Sequence, residues 1–233
     1  MTIRDFASRV TSIAALAEPV RRALYLYVIG QPEPVSREQA AAAVGVARHV
    51  AKFNLDKLEE CNLLDVEFAR PAGRSGPGAG RTAKLYKRAA GEIGVSLPER
   101  QYDLAGRIMA QAITTSEQES VPIGEALREA ATQAGRDLAA EVRRRDGTPP
   151  SPAGAMDSVR DVLAENGYQP CPAGDGLSLA NCPFHTLAQA HPSLICGINR
   201  DLIDSLVRAS APRHAKAELR PTPGMCCVRI ITA

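Results

Sequence analysis

The chain has 233 residues, of which 45% are apolar and 23% charged, and a net charge of +2. That length fits two compact units better than one minimal motif or three large domains. No run of about 18 apolar residues is present to span a bilayer, and the first residues lack the charged-then-apolar layout of a secretory leader. These features predict a cytoplasmic protein with no membrane partner.

The charge is uneven. Residues 1–90 hold 14 Lys/Arg against 9 Asp/Glu, an excess of +5, the sign that attracts a polyanion. Within them, Pro19 to Ile29 reads as an amphipathic helix, with Val20, Leu24 and Val28 spaced by four and Pro19 suited to the first turn. Ile13 and Leu16 belong to a preceding short helix. After Pro32 and Pro34, Ser36 opens a capping box with Gln39, and a short helix of alanines follows over 40–43.

Val44-Gly45-Val46 reads as a tight turn. The next helix, 47–61, carries Ala51, Leu55, Leu58 and Cys61 on one side and Arg48, His49 and Lys52 on the adjoining side. Two short helices joined by a glycine turn, the second basic near its start, are the sequence form of a helix-turn-helix. Residues 63–70 then have strand character, 71–81 form a glycine-rich loop, and 82–88 read as a returning strand, which together make a basic wing. Ser36, Arg37, Arg48, His49 and Lys52 on the helices, with Arg70, Arg74, Arg81 and Lys84 on the wing, are the candidate contacts to double-stranded DNA. Arginines on a hairpin usually mean no more than a solvated surface. The ordered succession of helix, turn, basic helix and basic hairpin is what favours DNA.

Residues 102–115 and 123–145 read as two helices with narrow apolar stripes, Leu104, Ile108 and Ile113 on the first and Leu127, Ala131, Ala134 and Leu138 on the second. Such stripes must be buried against another element, so this stretch is expected to connect and to build a homodimer, since regulators of this kind read two half-sites as two-fold dimers. Residues 147–154, with three prolines, read as a linker. The expected architecture is α+β: a winged helix-turn-helix over 1–90, a helical connector over 91–148 and a small cysteine-containing sensor domain over 149–233.

Five of the six cysteines fall in the last 63 residues. A helix is expected over 156–166, strands near 168–172 and 177–179, helices over 183–190 and 192–208, and strands near 217–220 and 226–232. Ten residues separate Cys171 from Cys182, thirteen separate Cys182 from Cys196, and twenty-nine separate Cys196 from Cys226. No CxxC pair is present, so a zinc ribbon is excluded. Thiolates that meet in space would suit an iron-sulfur cluster or zinc. Cys182, before Pro183 at an expected helix start, is the leading candidate thiolate, and His185, His191 and Cys227 are alternative ligands.

Other readings stay open. Cys196 and Cys227 also fit as small buried hydrophobes, Cys226 or Cys227 as half of a thiol-disulfide switch, and the C-terminal unit as the seat of a small organic ligand. An enzyme would need Cys182 as nucleophile with His185 or His191 as base. The Gly76–Gly80 stretch has no GK[ST] ending and is not a phosphate loop, and no enzyme is expected.

Residues 48–64, followed by Gly76-Pro77-Gly78-Ala79-Gly80-Arg81-Thr82-Ala83-Lys84-Leu85-Tyr86, resemble the winged-helix region of ArsR-like bacterial repressors. With Tyr102-Asp103-Leu104-Ala105, Asn181-Cys182 and the interval to Cys196, the chain resembles the SufR iron-sulfur-sensing repressors. That resemblance implies a redox-sensing or iron-sulfur-sensing repressor, with Cys171, Cys182 and Cys196 as ligands of a cluster of the 4Fe-4S type. The first cysteine interval is shorter than the family's and the family's fourth cysteine falls at Ala211, so Cys226, Cys227 or a histidine would complete the set.

Overall fold

A computed structural model describes residues 3–69, 82–146, 152–174, 176–210 and 215–232. The chain forms two compact units, residues 2–95 and 96–233. The fold mixes helix and sheet in both.

The N-terminal unit runs α1 (Ile3–Ala15), α2 (Pro19–Ile29), β1 (Val35–Ser36), α3 (Arg37–Val44), α4 (Arg48–Glu60), β2 (Leu64–Ala69) and β3 (Ala83–Arg88). Pro19 sits in the first turn of α2, and the Glu18 carboxylate caps it by accepting from the Val20 and Arg21 amides. Ser36 caps α3 by accepting from the Gln39 amide at 3.2 Å, while the Gln39 side chain accepts from the Ser36 amide at 2.8 Å, so the capping box is formed. Gly45 ends α3 at φ +74, a left-handed conformation that a side chain would oppose. The helix foreseen at the alanines begins three residues earlier, because the capping box fixes its start.

Leu24 and Val28 of α2, Ala40 and Ala41 of α3, and Ala51, Leu55 and Leu58 of α4 meet Leu64 and Tyr86 of the hairpin in one core. The sheet order is β1-β3-β2, all antiparallel, with Val35 opposite Tyr86 and Ser36 opposite Leu85.

The C-terminal unit comprises α5 (Tyr102–Glu119), α6 (Ile123–Asp146), α7 (Pro152–Glu165), β4 (Pro170–Ala173), β5 (Gly176–Leu179), α8 (His185–Ala190), α9 (Pro192–Ser210), β6 (Ala215–Leu219) and β7 (Val228–Thr232). Its antiparallel sheet has the order β4-β5-β7-β6. The central helix is α9, whose Ile195, Ile198, Leu202, Ile203, Leu206 and Val207 are buried.

The sequence predicts a connector, 91–148, separate from a sensor domain, 149–233. The structure joins them, because Ala105 and Ile108 of α5 and Ala131, Leu138 and Val142 of α6 lie in the same core as α9 and the sheet. The narrow stripes do find a partner, and it is the C-terminal helix. Two details change with this. Ile113, assigned to the α5 stripe, is 51% exposed, and Ala112 takes the inward position. Of the expected linker over 147–154, residues 147–151 lie outside the described residues and 152–154 belong to α7.

Helices α6 and α9 approach closely at Gly135. A Cβ there would lie 2.2 Å from the Leu202 carbonyl oxygen and 2.7 Å from the Ser205 Cβ, so only glycine allows the crossing. Beside it, the Ser205 hydroxyl donates to the Thr132 carbonyl at 2.8 Å.

Candidate functional site

In the N-terminal unit, α4 buries Ala51, Asn54, Leu55 and Leu58 on one face. Outside that face Arg48, His49, Lys52, Phe53, Lys57 and Glu60 are solvent-exposed, with Lys57 and Glu60 paired at 2.9 Å. Helical spacing puts His49 at the centre of that outward face, with Lys52 and Phe53 on either side. Arg48 is 68% exposed and its guanidinium pairs with the Glu38 carboxylate of α3 at 2.5 Å. Ser36 and Arg37 stand at the start of α3, where Ser36 is engaged in the capping box and Arg37 is half-buried, 4.0 Å from Glu38.

Lys84, expected to face DNA, points inward. Its ammonium donates to Asp56 Oδ1 at 2.9 Å and to Glu59, and lies 5.2 Å from the Tyr86 ring centre. Tyr86 OH donates to the same Asp56 oxygen at 2.7 Å. Burial pushes the Asp56 carboxyl up, but the bonds from Lys84 and Tyr86 outweigh it and hold the group below its usual range. Strand alternation carries the signal for this orientation: Lys84 lies two residues from buried Tyr86, hence on the same face. Arg70, Arg74 and Arg81 lie outside the described residues.

The second group of candidate residues is in the C-terminal unit. Cys182 lies in the loop between β5 and α8, and this loop is tied down by Asn181. The Asn181 amide donates to the Glu99 carbonyl at 3.1 Å and to the Gly167 carbonyl, and its oxygen accepts from Arg100 at 2.6 Å. The same guanidinium donates to the Cys182 carbonyl at 2.9 Å.

The Cys226 thiol hydrogen-bonds to the Cys182 sulfur. That bond, joined by the Phe184 backbone N–H and the positive charge of Arg100, overcomes burial and holds the Cys182 thiol down at about 7. The expected backbone N–H contribution after Cys182 is present through Phe184 but comes second to Cys226, and α8 itself begins at His185. Cys226 is driven the opposite way, first by Cys182 and then by burial. A second thiol pair lies beside it: burial and the neighbouring Cys227 push Cys196 up to about 12, with a further contribution from Cys182.

Cys226 is also held from behind. Asn199 of α9 donates to its sulfur at 3.3 Å, and the fully buried Tyr168 donates to the Asn199 oxygen at 2.6 Å. The sequence reading missed both residues. Buried polar side chains of this kind must be partnered, but spacing gives no sign of which partner an Asn on α9 takes.

Cys171 lies on β4, and its thiol donates to the Ser178 carbonyl across the strand pair at 3.4 Å. His185 and His191 are exposed at the two ends of α8. Among the described residues, no group of three His, Cys, Asp or Glu side chains is arranged to hold a single metal ion, and no helix is long and apolar enough to cross a membrane.

A family model described as a helix-turn-helix domain matches residues 16–67, the stretch from the end of α1 into β2. No curated protein and no solved structure matches the chain. The match falls on the helices whose capping, turn and two-faced packing were traced above, and the N-terminal unit therefore carries a helix-turn-helix domain, a module that binds DNA in transcription regulation.

Proposed function

We propose that the protein is a transcriptional repressor that binds double-stranded DNA as a homodimer, through α4 in the major groove and the β2–β3 hairpin as a wing, and that its C-terminal cysteines are the sensory element. The observation that carries the DNA reading is the division of α4 into a buried face, Ala51, Leu55 and Leu58, and an exposed face bearing Arg48, His49 and Lys52. The arginines of residues 70–81 belong to the same reading through their place in the sequence. Lys84 is left out of the contact set, since its charge is already matched by Asp56 and Glu59.

For the sensory element, the thiols of Cys182, Cys196, Cys226 and Cys227 have the soft-donor chemistry that an iron-sulfur cluster takes. They meet in pairs, Cys182 with Cys226 and Cys196 with Cys227. An iron-sulfur cluster would spread the four thiolates over more than one iron, which suits spaced pairs better than a single zinc ion would. These four would hold the cluster, with Cys227 in the place that the family resemblance gives to Cys171. When bound, the cluster would supply a redox-responsive charge. The chain's own part is to fix the thiols, through Asn181 and Arg100 around Cys182 and through Asn199 behind Cys226.

Anaerobic purification tests both parts. Iron and sulfide should be retained by Cys171→Ser and lost from Cys227→Ser, and the metal state should change affinity for a bound duplex. Retention by Cys227→Ser together with loss from Cys171→Ser would overturn this ligand set. A colourless, iron-free anaerobic protein would overturn the cluster itself.

A second reading rests on the electrostatic pairing of Cys182 with Cys226. The two thiols would form a disulfide when a peroxide oxidises one sulfur to a sulfenic acid, releasing water, and the other displaces a second water. Peptide mapping after peroxide treatment of metal-free protein separates this reading from the cluster.

A further inference from the structure

The chain has four phenylalanines. One of them, Phe53, stands 67% exposed in the middle of α4, on the outward side of a helix whose inward face is packed. A large apolar ring in water forgoes the burial that would stabilise it. One turn before and after it on the same helical surface are His49 and Lys57, the latter paired with Glu60, and Lys52 lies beside it, all exposed. An apolar tip beside His49 and Lys52, on the half of the helix nearer its N-terminus, matches one surface in particular, the floor of the DNA major groove. There, phosphates line the rims, and the only apolar group on any base edge is the C5 methyl of thymine.

We infer that Phe53 is a specificity residue that packs on a thymine methyl in the operator, so that each half-site contains a required thymine that hydrogen bonding alone does not select. The inference rests on the proposed DNA-binding reading and adds the base and the atom that are read. The basic neighbours bring α4 to the backbone without regard to sequence. Phe53, in the second turn of the helix, then reports whether a methyl or a bare edge lies beneath it. The ring offers no hydrogen bond, so the discrimination is confined to the methyl.

The test begins with selection of duplexes from a random library by the full-length chain. In the selected duplex, thymines are then replaced one at a time by deoxyuridine, which removes only the methyl. At one thymine per half-site the replacement should weaken wild-type binding by roughly three- to fivefold, the value of one buried methyl, and should leave the binding of Phe53→Ala unchanged. Phe53→Leu, which keeps an apolar tip, should retain most of the methyl dependence. The exposed position leaves both variants folded, as an unchanged thermal melt would show.

Selection of a duplex with no methyl-dependent thymine, or with equal dependence in Phe53→Ala, would overturn the inference and leave the DNA reading standing. Failure to enrich any duplex would remove the DNA reading itself. Phe53→Ala altering the oligomeric state with DNA selectivity unchanged would assign the ring to a protein contact and overturn the inference.

Discussion

Lys84 of β3 donates to Asp56 of α4 at 2.9 Å, across a separation of 28 residues, and so fastens the hairpin to the helix that bears the exposed basic face. The pair is only about a fifth to a third exposed, and Glu59 and Tyr86 complete it. Lys84→Met would leave two carboxylates without their cation. It should destabilise the N-terminal unit by about 1–3 kcal/mol, read by urea unfolding of the full chain, with amide exchange in α4 and β3 reporting the unit concerned. The carboxyl of Asp56 is held below its free value of 3.8. Its contribution is therefore fully present above that pH and is lost as acid takes the solution through the lower, folded value. The gap between wild type and Lys84→Met should accordingly close at low pH.

The exposed face of α4 gives a second expectation. Lys52→Ala should weaken duplex binding by about 1–3 kcal/mol if the side chain reads a base, or reduce the salt slope by about 1 if it meets a phosphate. Arg48 is now paired with Glu38 at 2.5 Å. Glu38→Gln should release it and tighten binding by up to about 1 kcal/mol, the scale of an exposed ion pair. Fluorescence anisotropy over a range of salt concentrations separates these outcomes.

In metal-free protein, Cys182 should react with iodoacetamide with half-maximal rate near pH 7, the value at which its thiol is held. The Cys226 thiol is the largest cause of that lowering. Cys226→Ala should therefore shift the profile upward toward the ordinary 9.0, with mass spectrometry of the Cys182 peptide as the readout.

Two helical glycines should respond to alanine with opposite signs. At Gly106, within α5, an added Cβ meets nothing within 4 Å, so Gly106→Ala should stabilise by about 1 kcal/mol through helix propensity. At Gly135 the Cβ would collide with the Leu202 carbonyl, and Gly135→Ala should destabilise by about 1–3 kcal/mol through overpacking. Thermal unfolding of the two variants decides the matter.

The helix-turn-helix was legible because its signals are local. Ser36 with Gln39, Gly45, and the fourfold spacing of Leu24 and Val28 each act within one or two turns of chain. The orientation of Lys84 was also within reach, since alternation along β3 ties it to Tyr86. The merging of α5 and α6 with the C-terminal core was not legible: a narrow stripe demands a partner without naming it, and the partner, α9, starts 90 residues after α5 and 69 after α6. The thiol group was half legible. Residue types pointed to soft-ligand chemistry, but which sulfurs meet depends on where the Cys182 loop and the approach to β7 are brought together. That meeting sets Cys182 against Cys226 and leaves Cys171 on β4.

Ser36 does two jobs at once: it caps α3 and pairs with Leu85 in the sheet. The turn-linked helices and the hairpin are thus welded at a single residue, and the Lys84 brace adds a second joint. A strain applied to β3 would therefore reach α3 and α4 through two separate joints, one of backbone pairing and one of charge.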